Sequence, residues 1–153
     1  MLSRFEQLVD EIGALHSKLL LLVGPPRSGK TALLKSYGGR MGVSLLNVGS
    51  AMGQRLASIP HKQRHLQAGD VLRELADQYA QGGLLLIDNI ELLFDATLQL
   101  NPLDLLKRHA HNRKVVAVWP GALVNGRLTY ADMGHPEHRD YATDGVVSFD
   151  VQQ

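Results

Sequence analysis

The segment "GPPRSGKT", Gly24 to Thr31, constrains this chain more than any other: it follows the apolar run "KLLLLV" directly and precedes "ALLKSY" directly. The spacing G-x-x-x-x-G-K-[ST] is that of a loop whose backbone N–H groups converge on phosphate oxygens. Its glycines let the main chain curl where a side chain would block it, and the helix behind it adds the positive end of its dipole. In this pattern Gly24, Pro25, Pro26, Arg27, Ser28 and Gly29 form the phosphate cradle, closed by Ala32 in the helix. Lys30 is expected to bridge the β- and γ-phosphates of ATP, and the Thr31 hydroxyl to ligate Mg²⁺.

Such a loop works with a second carboxylate at the end of another buried strand. "LLLID", Leu84 to Asp88, has that form. A carboxylate ending an apolar strand is costly unless something binds it, and Mg²⁺ held over the phosphate loop supplies the reason; Asp88 is therefore the second expected metal-site residue. Many ATPases of the additional-strand class place a glutamate directly after this aspartate to polarise the attacking water. Here the position is Asn89, an amide that orients water without accepting its proton. Glu91 is the expected substitute, facing the same way if a helix begins there.

The rest of the chain alternates in type. Residues 1–16 carry Phe5, Leu8, Val9, Ile12 and Leu15 at helical spacing. A second helix, "TALLKSYGGR", is expected to stop at Gly38-Gly39. "VSLLNVGS" reads as a second strand, followed by a helix, a break near Pro60 and another helix. "NPLDLLKRHAH" opens a helix with Asn101 as N-cap and Pro102 in the first turn. "KVVAVWP" and "GVVSFDV" are the fourth and fifth strands. Strands alternating with helices imply right-handed crossovers. The expected fold is α/β: a three-layer α-β-α sandwich around a mainly parallel five-stranded sheet, in strand order 5-1-4-3-2 and without a helical lid. Residues 1–153 are expected to form one domain, with 120–144 as an irregular or hairpin insertion around the turn signal Asn125-Gly126.

Composition removes several classes of function. With no cysteine in 153 residues there is no disulfide framework, thiolate metal site or cysteine nucleophile. A net charge of +1 gives no global attraction to nucleic acid or to an anionic membrane, so any DNA contact has to be local. The apolar runs are too short to span a bilayer and the N-terminus is unlike a signal peptide, which points to the cytoplasm.

Other candidates are weaker. No polar residue ends the fourth strand, where this class senses the γ-phosphate, and Asn125 is the nearest amide. Arg108, Arg113, Arg127 and Arg139 are candidates to stabilise charge in a neighbouring subunit's site. "HKQRH", His61 to His65, is a basic cluster that reads first as solvated surface. His135 with His138 and His109 with His111 lack the converging ligands of a metal site.

Taken together, "LLLLVGPPRSGKTALL", "LLLIDNIELLFD", "NPLDLLKRHAHNRKVVAVWPG" and "LTYADMGHPEHRDY" resemble the BrxF family, small P-loop proteins of type 3 BREX systems, which are bacterial anti-phage defence loci. The resemblance implies a cytoplasmic ATP-binding component that works with other defence-system proteins; a homo-oligomer is a further expectation. Three functions follow as expectations: slow, assembly-dependent ATP hydrolysis; a nucleotide-gated interaction module with little turnover; or a small nucleotide or small-molecule kinase.

Overall fold

The computed structural model describes residues 2–130 and 139–151 of the chain. In chain order the elements are α1 (Leu2–Ile12), β1 (Leu19–Val23), α2 (Lys30–Met41), β2 (Leu46–Asn47), α3 (Val48–Ala57), α4 (Arg64–Tyr79) and β3 (Leu84–Asp88). They continue with α5 (Pro102–His109), β4 (Lys114–Val118), β5 (Ala122–Val124), β6 (Arg127–Tyr130), β7 (Arg139–Ala142) and β8 (Val147–Asp150).

The continuous apolar runs of β1, β3 and β4 are strands covered on both faces. Their residues divide by the two-residue period of a strand. Leu19, Leu21, Leu85, Ile87, Val115 and Ala117 enter one core, against α3, α4 and α5. Leu20, Leu22, Leu84, Leu86, Val116 and Val118 enter the other, against Phe5, Val9 and Ile12 of α1 and Leu34 and Tyr37 of α2. The sheet is parallel throughout, in the order β2-β3-β4-β1-β8. That is the expected α/β sandwich with the expected order 5-1-4-3-2, the fifth sequence-read strand being β8.

Three local expectations are corrected. The first helix ends at Ile12, short of residue 16. The second runs through Gly38-Gly39 to Met41. Gly38 is there for space: a Cβ on it would meet the Val43 carbonyl at 2.6 Å and the Leu86 side chain at 3.2 Å. The second strand is only Leu46–Asn47, because the Asn47 side chain accepts from Ser50 N at 3.0 Å and starts α3 at once. The 120–144 region holds a second, antiparallel sheet, β5-β6-β7. Its first turn is the one the sequence signals, with Asn125 and Gly126 both at positive φ, 51° and 75°.

This second sheet is pinned to the first by Trp119, fully buried at the end of β4. Its indole N–H donates to the Thr129 carbonyl at 2.9 Å. Phe94 stands edge-on to it, and Tyr130 stacks on Phe94 with ring centroids 3.9 Å apart.

Candidate functional site

β1 and β3 end on the same edge of the sheet with β4 between them: Leu22 pairs with Val118 and Ile87 with Ala117. The loop after β1 and the carboxylate ending β3 therefore face a common cleft of about 1010 Å³. It is lined by Gly24, Pro25, Pro26, Lys30 and Thr31, by Asn47, Asp88, Asn89 and Glu91, and by Pro120 to Leu123 with Thr129.

The loop is held by its own backbone. Gly24 has φ 153°, and a Cβ on it would sit 2.4 Å from the Val151 carbonyl, so no other residue fits. Ser28 N donates to the Pro25 carbonyl at 3.1 Å, while the Ser28 Oγ is buried without a hydrogen-bond partner. Lys30 Nζ folds back onto the loop, donating to the Gly24 carbonyl at 2.6 Å and the Pro25 carbonyl at 3.4 Å. An ammonium satisfied by carbonyls and a buried, unpaired hydroxyl are the features expected of a cradle built for an anion. Arg27 takes φ 62° at the exposed bend of the loop, and Ala32 lies exposed in the first turn of α2.

The two expected metal-site residues meet. Thr31 Oγ1 donates to Asp88 Oδ1 at 3.3 Å, bridging positions 57 residues apart. Both are hard oxygen donors of the kind Mg²⁺ accepts. The cleft lining carries three carboxylates, Asp88, Glu91 and Asp150, against the single lysine Lys30. That balance leaves these side chains net negative, so a polyphosphate entering the cleft would need a divalent cation to offset them.

Asn89 is placed by its neighbours. It has φ 55°, its N–H donates to Asp88 Oδ1 at 2.8 Å, and its side-chain Nδ2 donates to Asn47 Oδ1 at 2.9 Å. Its carbonyl accepts from Gly49 N at 3.0 Å. Glu91 opens a single 3-10 turn, Glu91–Phe94, faces the cleft, and has no hydrogen bond or ion pair among the described residues.

Other candidates fall away from the cleft. Asn125 is in the exposed hairpin turn. Arg108 pairs with Asp104 at 2.7 Å, Arg113 with Asp77 at 2.8 Å and Arg127 with Asp140 at 2.5 Å, while Arg139 starts β7 opposite Tyr130. His61 and Lys62 form an exposed 3-10 turn before α4. His109 has its pKa lowered, first by burial and then by the Arg113 guanidinium. No group of three or more metal-ligating side chains occurs among the described residues, and His135 and His138 lie outside them.

Sequence reasoning missed three polar lining residues, Asn47, Thr129 and Asp150. Asn47 was legible, since "LLN" ends a strand beside "LLLID". Asp150 ends β8 as Asp88 ends β3, but "VSFD" alternates and does not read as a buried strand ending in a carboxylate. Thr129 had no signal, because only the fold of the inserted sheet brings it to the cleft.

The phosphate loop between β1 and α2, Asp88 at the end of β3 and the order β2-β3-β4-β1-β8 together define the P-loop NTPase fold. One solved structure agrees at the level of fold. A crystal structure of a DNA replication initiation factor superposes with a TM-score of 0.52 at 15% identity, over 98% of this chain and 44% of that one. C. elegans PCH-2 gives a TM-score of 0.43 at 17% identity, over 97% of this chain and 41% of that one. The chain thus spans less than half the length of either. No family model and no curated protein matches the chain.

Proposed function

We propose that the chain is an ATP-binding P-loop protein of a bacterial phage-defence (BREX) system, with slow ATP hydrolysis that depends on assembly. The observation that carries ATP binding is the Lys30 ammonium turned onto the Gly24 carbonyl at 2.6 Å, inside a loop with an unpaired buried hydroxyl. A γ-phosphate oxygen offers that ammonium a charged acceptor in place of a neutral carbonyl, adding ion-pair attraction to the hydrogen bond. Thr31 and Asp88 are the residues that would hold Mg²⁺, whose part is to neutralise charge on the β- and γ-phosphates.

Hydrolysis needs a group that takes a proton from water. Glu91 is the carboxylate in the cleft with no other partner, and Asn89 serves only to orient. A second reading, a nucleotide-gated interaction module with little turnover, is favoured by Asn89 itself. Its amide is engaged by Asn47 in the place where this class of ATPase carries its general base. The defence assignment rests on the family resemblance of the sequence. Its partners are other proteins of such a system and further copies of the chain.

Mg·ATP binding, molecular size and phosphate release, measured together with and without the partner proteins, test these readings. The enzymatic reading expects release that disappears in Lys30→Ala and Glu91→Gln while Glu91→Gln still binds ATP. Equal release by all three proteins removes it, and ATP-dependent assembly without turnover selects the gated module. A kinase would instead consume more ATP when nucleoside monophosphates are added.

A further inference from the structure

We propose that Thr129, on the inserted antiparallel sheet, is the residue that distinguishes ATP from ADP in this cleft. The inference rests on the ATP-binding reading above and names the group that would contact the terminal phosphate.

β4 lies between the P-loop strand and the Asp88 strand, and the residues just past its end, Pro120 to Leu123, line the same cleft as Lys30, Thr31 and Asp88. β4 itself offers no side-chain polar group there. Val118 is apolar, Trp119 is buried with its N–H committed to the Thr129 carbonyl, and Pro120 has no N–H at all. The insertion fills the gap. β6 returns past the end of β4, where the Trp119 indole N–H donates to the Thr129 carbonyl at 2.9 Å, and β5 pairs Ala122 with Thr129.

The alternation of β6 decides which side chain reaches the cleft. Leu128 is fully buried and Tyr130 stacks on Phe94, so Thr129 between them points the other way and lines the cleft. Anchors on both sides hold its hydroxyl in one place. Thr129 Oγ1 donates to the Ala122 carbonyl at 3.3 Å, a long bond between neutral groups. A phosphate oxygen is a stronger acceptor for the same proton. Tyr130, the next residue, contacts Phe94 in the turn that carries Glu91. The hydroxyl that meets the terminal phosphate and the carboxylate that faces the cleft are thereby tied through a single ring stack.

The test is the ratio of affinities for a non-hydrolysable ATP analogue and for ADP, both with Mg²⁺, in the full chain. Wild type should prefer the triphosphate. Thr129→Val, close in size and equally suited to a strand, should reduce that preference by on the order of 10-fold with ADP affinity unchanged, as expected for one hydrogen bond to a charged group. Thr129→Ser, which keeps the hydroxyl, should restore it. An unchanged ratio in Thr129→Val, or parallel losses for both nucleotides, overturns the assignment. Should Thr129→Val not fold, Thr129→Ala read in the same assay decides by the same criteria. If wild type binds neither nucleotide, the ATP-binding reading itself fails and takes this assignment with it; if wild type binds ATP and only the ratio fails to move, Thr129 alone is excluded.

Discussion

The side-chain amide of Asn89 donates to Asn47 Oδ1 at 2.9 Å, joining the residue after the strand-end carboxylate to the cap of α3. Asn47 Oδ1 also accepts from Ser50 N at 3.0 Å, so one oxygen serves the helix start and the cleft together. The residue that follows the strand-end carboxylate thus serves as a structural tie.

Asn89→Glu tests whether that tie is what limits turnover. A glutamate beside Asp88 supplies a base and gives up the hydrogen bond to Asn47 Oδ1, which stays committed to Ser50 N–H. General-base catalysis contributes roughly 10²–10⁴-fold, so phosphate release should rise at least 10-fold over wild type. The same substitution places a glutamate at φ 55° and should lower stability by about 1–2 kcal/mol. Steady-state phosphate release and thermal denaturation measure the two effects; a stable variant with unchanged release removes this position from the chemistry.

Lys30→Ala should leave the fold intact, because the ammonium is held only by carbonyls of an exposed loop. It should weaken Mg·ATP binding by on the order of 100-fold, as expected when a charge-assisted contact to a polyphosphate is lost. Calorimetry shows the weakened binding, and a thermal shift on adding Mg·ATP should appear in wild type and vanish in the variant.

Trp119→Phe keeps an aromatic ring in the core but removes the N–H that satisfies the Thr129 carbonyl. The contact is part-buried, so losing this hydrogen bond should cost about 0.5–1.5 kcal/mol. Urea denaturation followed by circular dichroism should show that loss. Protease cleavage should rise first in the β5-β6-β7 sheet, because Trp119 is what holds it against the end of β4.

Stability should fall as pH drops through about 6.5, the unperturbed histidine value. Burial and the Arg113 guanidinium lower the pKa of His109 in the folded chain. The unfolded chain therefore binds a proton near pH 6.5 that the folded chain refuses until lower pH, and stability rises with pH wherever the unfolded state holds more protons. The contribution is at most about 1.4 kcal/mol per pH unit within that window. His109→Gln should flatten the dependence between about pH 7.5 and about pH 5.5 in denaturation curves. A slope identical to wild type would assign the effect to other histidines.

What the amino-acid sequence determined by itself is local in origin. The spacing of Gly24, Gly29, Lys30 and Thr31 specifies a phosphate loop because it dictates backbone curvature residue by residue. Apolar runs such as "LLLLV" and "LLLID" specify doubly covered strands because no other setting buries every position. From those the parallel sheet, its order and the meeting of Thr31 with Asp88 were legible. No helix among the described residues is long and apolar enough to cross a membrane, as the short runs required.

Tertiary structure decided what depends on contacts between segments far apart in the chain. Asn89 meets Asn47 across 42 residues, and Trp119 meets Thr129 across 10 only because β6 folds back over β4. Neither amide nor hydroxyl carries a local signal of its partner, since a single polar side chain fits a turn, a cap or a surface equally well. The register of the inserted sheet made Thr129 a wall of the cleft and left Asn125 in the exposed turn, because strand alternation assigns each side chain to a face only once the neighbouring strands are in place.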